Sequence, residues 1–286
     1  MVVETLVPAG ADVHTWQPTP QDVQKVQAAA VVFLNGAGLE EAALPLVRNN
    51  ATGRVVELAA GLPLQAGPAP AGDHGHDPAP AGAALAEGTA EPGHARGNPA
   101  DASGAAAAKA DQRAEHGGNP HLWLDPRYAQ LYVERMRDAL SAADPAGAAE
   151  YAANAERLIA ELQALDAELE QTLGVIPPER RKLVTFHDAF PYFAARYGFE
   201  LVGVVLRSPG REPSAQEVAE LVARIRAERV PAVFTEPQFN ARILELAAAD
   251  SGVRVLTLYS DALDARTATY FDLMRYNARQ IVEGLQ

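Results

Sequence analysis

From residue 183 onward the chain alternates short β-branched and aromatic runs with longer amphipathic segments, and that alternation leaves few folds open. Leu183-Val184-Thr185-Phe186, residues 201–206, Ala232-Val233-Phe234 and residues 253–259 each read as a strand. Helices are predicted between them, over about 188–197, 214–229 and 241–249, with a last one over about 267–285. Ser214-Ala215-Gln216-Glu217 is a capping box, in which hydroxyl and carboxylate each satisfy an amide of the first turn. Strands separated by helices join as parallel neighbours, with the crossover helices covering both sheet faces.

The first half repeats the pattern less regularly. Residues 2–7 read as a strand ended by Pro8-Ala9-Gly10, and Thr19-Pro20 as a helix start with Thr19 at the N-cap. Residues 30–35 form a continuous apolar run closed by Gly36, the pattern of a strand buried on both faces. A short helix from about Leu39 and a strand near Val55-Val56 follow. Residues 67–118 are dominated by Ala, Gly and Pro and carry His74, His76, His94 and His116. They hold too few large apolar side chains to offset chain entropy, so a disordered, histidine-containing loop is expected. A helix then runs to about Ala142, and Asp144-Pro145 opens a longer one. In it Tyr151, Ala155, Leu158, Leu162, Leu165 and Leu169 recur at alternating spacings of four and three, giving one apolar stripe. The expected organisation is an N-terminal α/β lobe over 1–143, a linking helix over 144–173 and a C-terminal α/β lobe over 174–286.

Composition removes several function classes. The 37 acidic residues outnumber the 24 basic ones, which argues against a nucleic-acid partner. Without cysteine there is no thiolate metal site, disulfide, thiol catalysis or lipid-bearing N-terminal cysteine. No apolar run approaches the roughly 18–20 residues of a membrane span, so direct membrane insertion is not expected. Residues 1–7 are too short, and lack the basic start, for an export signal.

Chemistry concentrates near strand ends, where open α/β sheets bind ligands. His14 sits in the loop between the first predicted strand and the Thr19 helix. His121 is stiffened by Pro120 and Pro126 and neighbours Trp123. His187 ends the strand at 183–186, and Asp261 follows the last strand. Asp188 reads as a helix cap or as a group that orients a neighbour, and the candidate ligands have ordinary alternatives: His14 as a solvated loop histidine, His121 as a backbone-bonded one and Asp261 as a turn residue. Together they form a complete tetrahedral shell of three imidazoles and a carboxylate, which suits Zn2+ better than the oxygen-seeking Mg2+ or Ca2+. Glu236, after the strand at 232–234, is a competing carboxylate or a partner behind the ligands.

These segments resemble the metal-specific solute-binding proteins of ABC transporters, the zinc/manganese class. Val7-Pro8-Ala9-Gly10-Ala11-Asp12-Val13-His14-Thr15-Trp16 is similar to their first ligand motif and Asn119-Pro120-His121-Leu122-Trp123-Leu124-Asp125-Pro126 to their second. Thr185-Phe186-His187-Asp188-Ala189-Phe190-Pro191 is similar to the third, and Thr257-Leu258-Tyr259-Ser260-Asp261 to the fourth. The resemblance implies two α/β lobes joined by one long rigid helix, with metal held in the cleft by His14, His121, His187 and Asp261. A histidine at the third position goes mainly with zinc in that family, and a glutamate with manganese. The histidine-containing loop would then be an auxiliary metal collector. The family's export signal, first strand and first helix have no counterpart in the N-terminal lobe, and Val13 replaces a frequent proline.

The function this implies is periplasmic or extracytoplasmic capture of Zn2+, with Mn2+ less favoured, by a monomer that delivers it to a membrane permease. The alternatives are a manganese or other divalent-metal binder of the same class, or a zinc hydrolase. Four protein ligands leave no position for a reactive water, whereas a hydrolase needs one and a general base beside it. Glu236 is the candidate base, and no His-Glu-x-x-His motif occurs.

Overall fold

Among the described residues, two parallel sheets carry the fold. The computed structural model describes residues 1–65, 118–206 and 213–286. In the N-terminal part α1 (Pro20–Ala28) leads to β1 (Val31–Leu34), α2 (Leu44–Asn50) and β2 (Arg54–Glu57). The two strands pair in parallel, Val31 opposite Arg54. A 3-10 turn at Leu122–Leu124 precedes α3 (Pro126–Ala143) and the long α4 (Ala148–Gly174). There follow β3 (Lys182–His187), α5 (Pro191–Tyr197), β4 (Glu200–Leu206), α6 (Ala215–Glu228), β5 (Ala232–Thr235), α7 (Arg242–Ser251), β6 (Arg254–Thr257) and α8 (Tyr270–Leu285). The strands of this second sheet lie in the order β4-β3-β5-β6, all parallel. The fold is α/β, with parallel sheets flanked by helices.

Side-chain alternation explains how the second sheet is covered. Leu183, Ala232 and Phe234 pack on one face against Leu165, Leu169 and Leu173 of α4 and Met274 and Ile281 of α8. Val184, Phe186 and Val233 pack on the other, against Leu221 and Ile225 of α6 and Leu244 of α7. The period of two sends successive residues to opposite cores. Gly284 lets α8 lie close to the sheet, since a Cβ there would meet the Phe234 ring at 2.9 Å and the Ala232 Cβ at 3.0 Å. The stripe on α4 buries Ala155, Leu162, Leu165 and Leu169, while Leu158 stays partly exposed. Through this helix the N-terminal α3 and the C-terminal α8 both find a packing partner.

Helix starts follow the capping chemistry. Ser214 and Glu217 bond reciprocally at α6, with Ser214 N donating to Glu217 Oε2 at 2.7 Å and Glu217 N to Ser214 Oγ at 3.2 Å. The Thr19 amide and hydroxyl both donate to Asp22 at α1, at 2.8 and 2.7 Å. Three local expectations fail. Residues 2–7 form no strand: among the described residues β1 pairs with β2 alone, and Met1, Val2 and Val3 are exposed, so β propensity finds no ladder there to express it. The helix expected from Leu39 starts at Leu44, because Gly36, Ala37 and Gly38 all take positive φ and turn the chain first. Asp188 caps nothing: α5 begins at Pro191 with Phe190 at the N-cap, and Ala189 N closes a tight turn on His187 O at 2.9 Å.

No helix among the described residues is long and apolar enough to cross a membrane. The segment carrying His74, His76, His94 and His116 lies outside the described residues.

Candidate metal centre

Because β3, β5 and β6 run parallel, their carboxyl ends share one edge of the sheet and deliver His187, Glu236 and Asp261 to the same place. The Asp261 loop is fixed by Asn277, which exchanges two bonds with the Tyr259 backbone at 2.8 and 2.7 Å. Trp123 Nε1 also donates to Ser260 O at 3.0 Å. His121 stands at the start of the 3-10 turn, on a segment tied to the end of β1 by Asn35 Nδ2 donating to Pro120 O at 2.9 Å. His14 comes from a turn organised by Asp12, whose Oδ1 accepts from His14 N at 2.9 Å and whose Oδ2 accepts from the Thr15 hydroxyl at 2.8 Å.

All four side chains meet. One donor atom from each of His14, His121, His187 and Asp261 lies within 4.8 Å of the others. His121 Nε2 is 3.2 Å from both His14 Nε2 and His187 Nε2. Asp261 Oδ1 is 3.4 Å from His121 Nε2, and Oδ2 is 3.3 Å from His187 Nε2 and 3.7 Å from His14 Nε2. In a regular tetrahedron, donor separations of 3.2–3.7 Å go with arms of about 2.0–2.3 Å, the length of zinc–imidazole and zinc–carboxylate bonds, and these five distances, with all four donors within 4.8 Å, fit one small ion. Asp261 Oδ1 is buried with no hydrogen-bond donor among the described residues, an acceptor a cation would satisfy. The His14 side chain is 12% exposed, whereas those of His121, His187 and Asp261 are at most 3% exposed. His14 is the ligand of the four that lies nearest solvent.

Glu236 lies behind His187. Its Oε1 accepts from His187 Nδ1 at 2.7 Å and from His187 N at 3.2 Å. Its Oε2 accepts from the Ser260 hydroxyl, and from Gln238 Nε2 at 3.3 Å. An acceptor at Nδ1 makes that nitrogen the protonated one and turns the Nε2 lone pair toward the cluster. Two buried carboxylates, Glu236 and Asp261, lie against these imidazoles, at 2.7 Å from His187 Nδ1 and 3.3–3.7 Å from the Nε2 atoms. A divalent ion supplies the two positive charges that offset them.

The electrostatics of the cluster are uneven. Burial holds the His121 imidazole well below its usual range, against the pull of Asp261. Burial likewise lowers His14. For His187 burial acts in the same direction, but Glu236 and Asp261 overcome it and hold the ring well above its usual value. Burial would raise the Asp261 carboxyl, yet the surrounding imidazoles, His121 first, depress it strongly. The two carboxylates that flank His187 thus favour its protonated form.

The chain has known relatives. The family model described as "Zinc-uptake complex component A periplasmic" (ZnuA) matches residues 1–284. The chain belongs to the ZnuA family. It is therefore a metal-binding solute-binding protein of ABC transporters, a family of periplasmic and extracytoplasmic proteins rather than enzymes, which sets the hydrolase alternative aside. It is 30% identical to the manganese-binding lipoprotein MntA of Halalkalibacterium halodurans, over 99% of this chain and 81% of that protein. It is 29% identical to the iron-binding protein YfeA of Yersinia pestis, over 99% of this chain and 79% of that protein. The crystal structure of a ZnuA superposes with a TM-score of 0.74 at 26% identity, covering all of this chain and 91% of the other. A manganese-bound periplasmic metal-binding protein from Candidatus Liberibacter asiaticus shares the fold, with a TM-score of 0.74 at 24% identity over 99% of this chain and 90% of the other.

Reading the sequence for ligand types misses Asn119 and Gln238. Asn119 bonds both His121 and the chain beyond His187, and Gln238 Nε2 donates to Ser260 Oγ at 3.1 Å beside Asp261. Their signal is positional: each is an amide two residues from a group at the site, a pattern common in ordinary turns.

Proposed function

We propose that this protein captures Zn2+ outside the cytoplasm as a monomer, through His14, His121, His187 and Asp261, and hands it to the permease of an ABC transporter. The observation that carries the reading is the cluster of Nε2 atoms closed by the Asp261 carboxylate, with all four donors within 4.8 Å of one another. Three imidazole nitrogens favour a borderline cation over hard oxygen-seeking ones. Four protein donors complete a tetrahedral shell, which suits storage and release rather than hydrolysis. The exposed side of His14 is the way in and out.

Manganese is the second reading, favoured by the names of the relatives: one is a manganese-binding lipoprotein and another an iron-binding protein. Competitive titration of the metal-free protein with Zn2+ and Mn2+, beside His187→Ala, tests both. The zinc reading expects one tight Zn2+ equivalent, lost in the variant and not displaced by equimolar Mn2+. Tight zinc unaffected by His187→Ala would overturn the ligand set, and Mn2+ displacing Zn2+ would overturn the selectivity.

A further inference from the structure

Asn119 is 1% exposed and spends every polar group it has. Its N–H donates to Gln65 O at 2.9 Å, and its carbonyl accepts from the Tyr192 hydroxyl at 2.7 Å. Its side-chain Oδ1 accepts from His121 N at 3.0 Å and faces His121 Nδ1 at 2.9 Å. Its Nδ2 donates to Asp188 O at 2.5 Å. The amide orientation is fixed by chemistry: a backbone N–H can only donate, so it needs the oxygen, and a backbone carbonyl can only accept, so it needs the NH2. With Oδ1 placed there, His121 Nδ1 must carry the hydrogen, and the Nε2 lone pair is left to face His14, His187 and Asp261.

We infer that Asn119 is the positioning residue of this centre. It selects the metal-binding tautomer of His121 and, through Asp188 O, pins that ring to the strand end that carries His187. The two consequences come from opposite ends of one planar amide, so ring orientation and distance between lobes are set together. His187 is oriented differently, by the Glu236 carboxylate. The ring partner of His121 is neutral, so it fixes the tautomer without adding a third buried negative charge to Asp261 and Glu236.

The inference rests on the ligand reading above, and the test separates the two. Zinc affinity and the Co2+ ligand-field spectrum are measured for the full chain and for His121→Ala, Asn119→Leu, Asn119→Ala and Asn119→Asp, with a melting temperature for each. Asn119→Leu and Asn119→Ala remove the acceptor and are expected to raise the zinc Kd about 10- to 100-fold and alter the Co2+ spectrum. Asn119→Asp keeps an acceptor at His121 Nδ1 and loses the bond to Asp188 O, so it is expected to retain the Co2+ spectrum and bind more tightly than the other two. A purely structural Asn119 would lower all melting temperatures and leave Kd and spectrum unchanged, which overturns the inference. So does Asn119→Asp binding no better than Asn119→Leu. Wild-type affinity in His121→Ala would overturn the ligand reading, and this inference with it.

Discussion

Replacing Glu236 by Gln changes one buried charge and almost no volume. Four groups point donors at this side chain: His187 N and Nδ1, the Ser260 hydroxyl and the Gln238 amide. A carboxylate accepts from all of them, whereas a Gln must place its NH2 against donors on one side. The bond from His187 Nδ1, 2.7 Å long, falls from a charge-assisted hydrogen bond to at best a neutral one. That difference is worth about 1–2 kcal/mol, or about 5- to 30-fold in Kd. If the NH2 faces Nδ1 the ring is driven to the wrong tautomer, and the loss moves toward 100-fold. The assay is zinc titration against a competing chelator, read by the emission of Trp123, whose ring lies 5.2 Å from His121. A thermal melt of the metal-free variant runs beside it, since the unsatisfied donors cost the fold about 1–3 kcal/mol as well. A lower melting temperature with a zinc Kd within twofold of wild type would refute the reasoning: Glu236 would then support the loop without tuning the ligand.

Other expectations follow from the same geometry. Zinc binding at neutral pH should release about one proton, because His187 is held protonated while His14 and His121 are held neutral. Its affinity should therefore fall about tenfold per pH unit as pH drops through neutrality, and calorimetry in buffers of different ionisation enthalpy counts the protons. His14→Ala should weaken zinc binding less than His121→Ala, measured by the same titration, because water can enter at the partly exposed corner but not at the buried one. Gly284→Ala should lower the melting temperature: the new Cβ meets Phe234, Ala232 and Leu256 within 3.3 Å, an overpacking cost of about 1–3 kcal/mol that outweighs the gain in helix propensity.

The strands at 183–186 and 232–234 were legible because short β-branched and aromatic runs alternate there with longer amphipathic segments, and the Ser214 helix because hydroxyl and carboxylate fall three apart. The candidate ligands were legible for a topological reason: parallel strands gather their carboxyl ends, so residues far apart in sequence converge. Residues 2–7 misled because propensity is local and a strand needs a neighbour. Asp188 misled because a Pro at 191 shifted the helix start and left the aspartate in the turn after His187. Ala37 at positive φ gives no warning in its side chain. Asn119 and Gln238 stayed hidden because an amide that orients a ligand differs from a turn amide only in which atoms it meets.

The central claim is that one divalent ion sits between the three Nε2 atoms and Asp261. An anomalous difference map from zinc-loaded crystals, collected at the zinc edge, tests it directly. The predicted result is a single dominant peak about 2.0–2.3 Å from His14, His121 and His187 Nε2 and from a carboxylate oxygen of Asp261. A dominant peak elsewhere, with these four side chains free of metal, would contradict it.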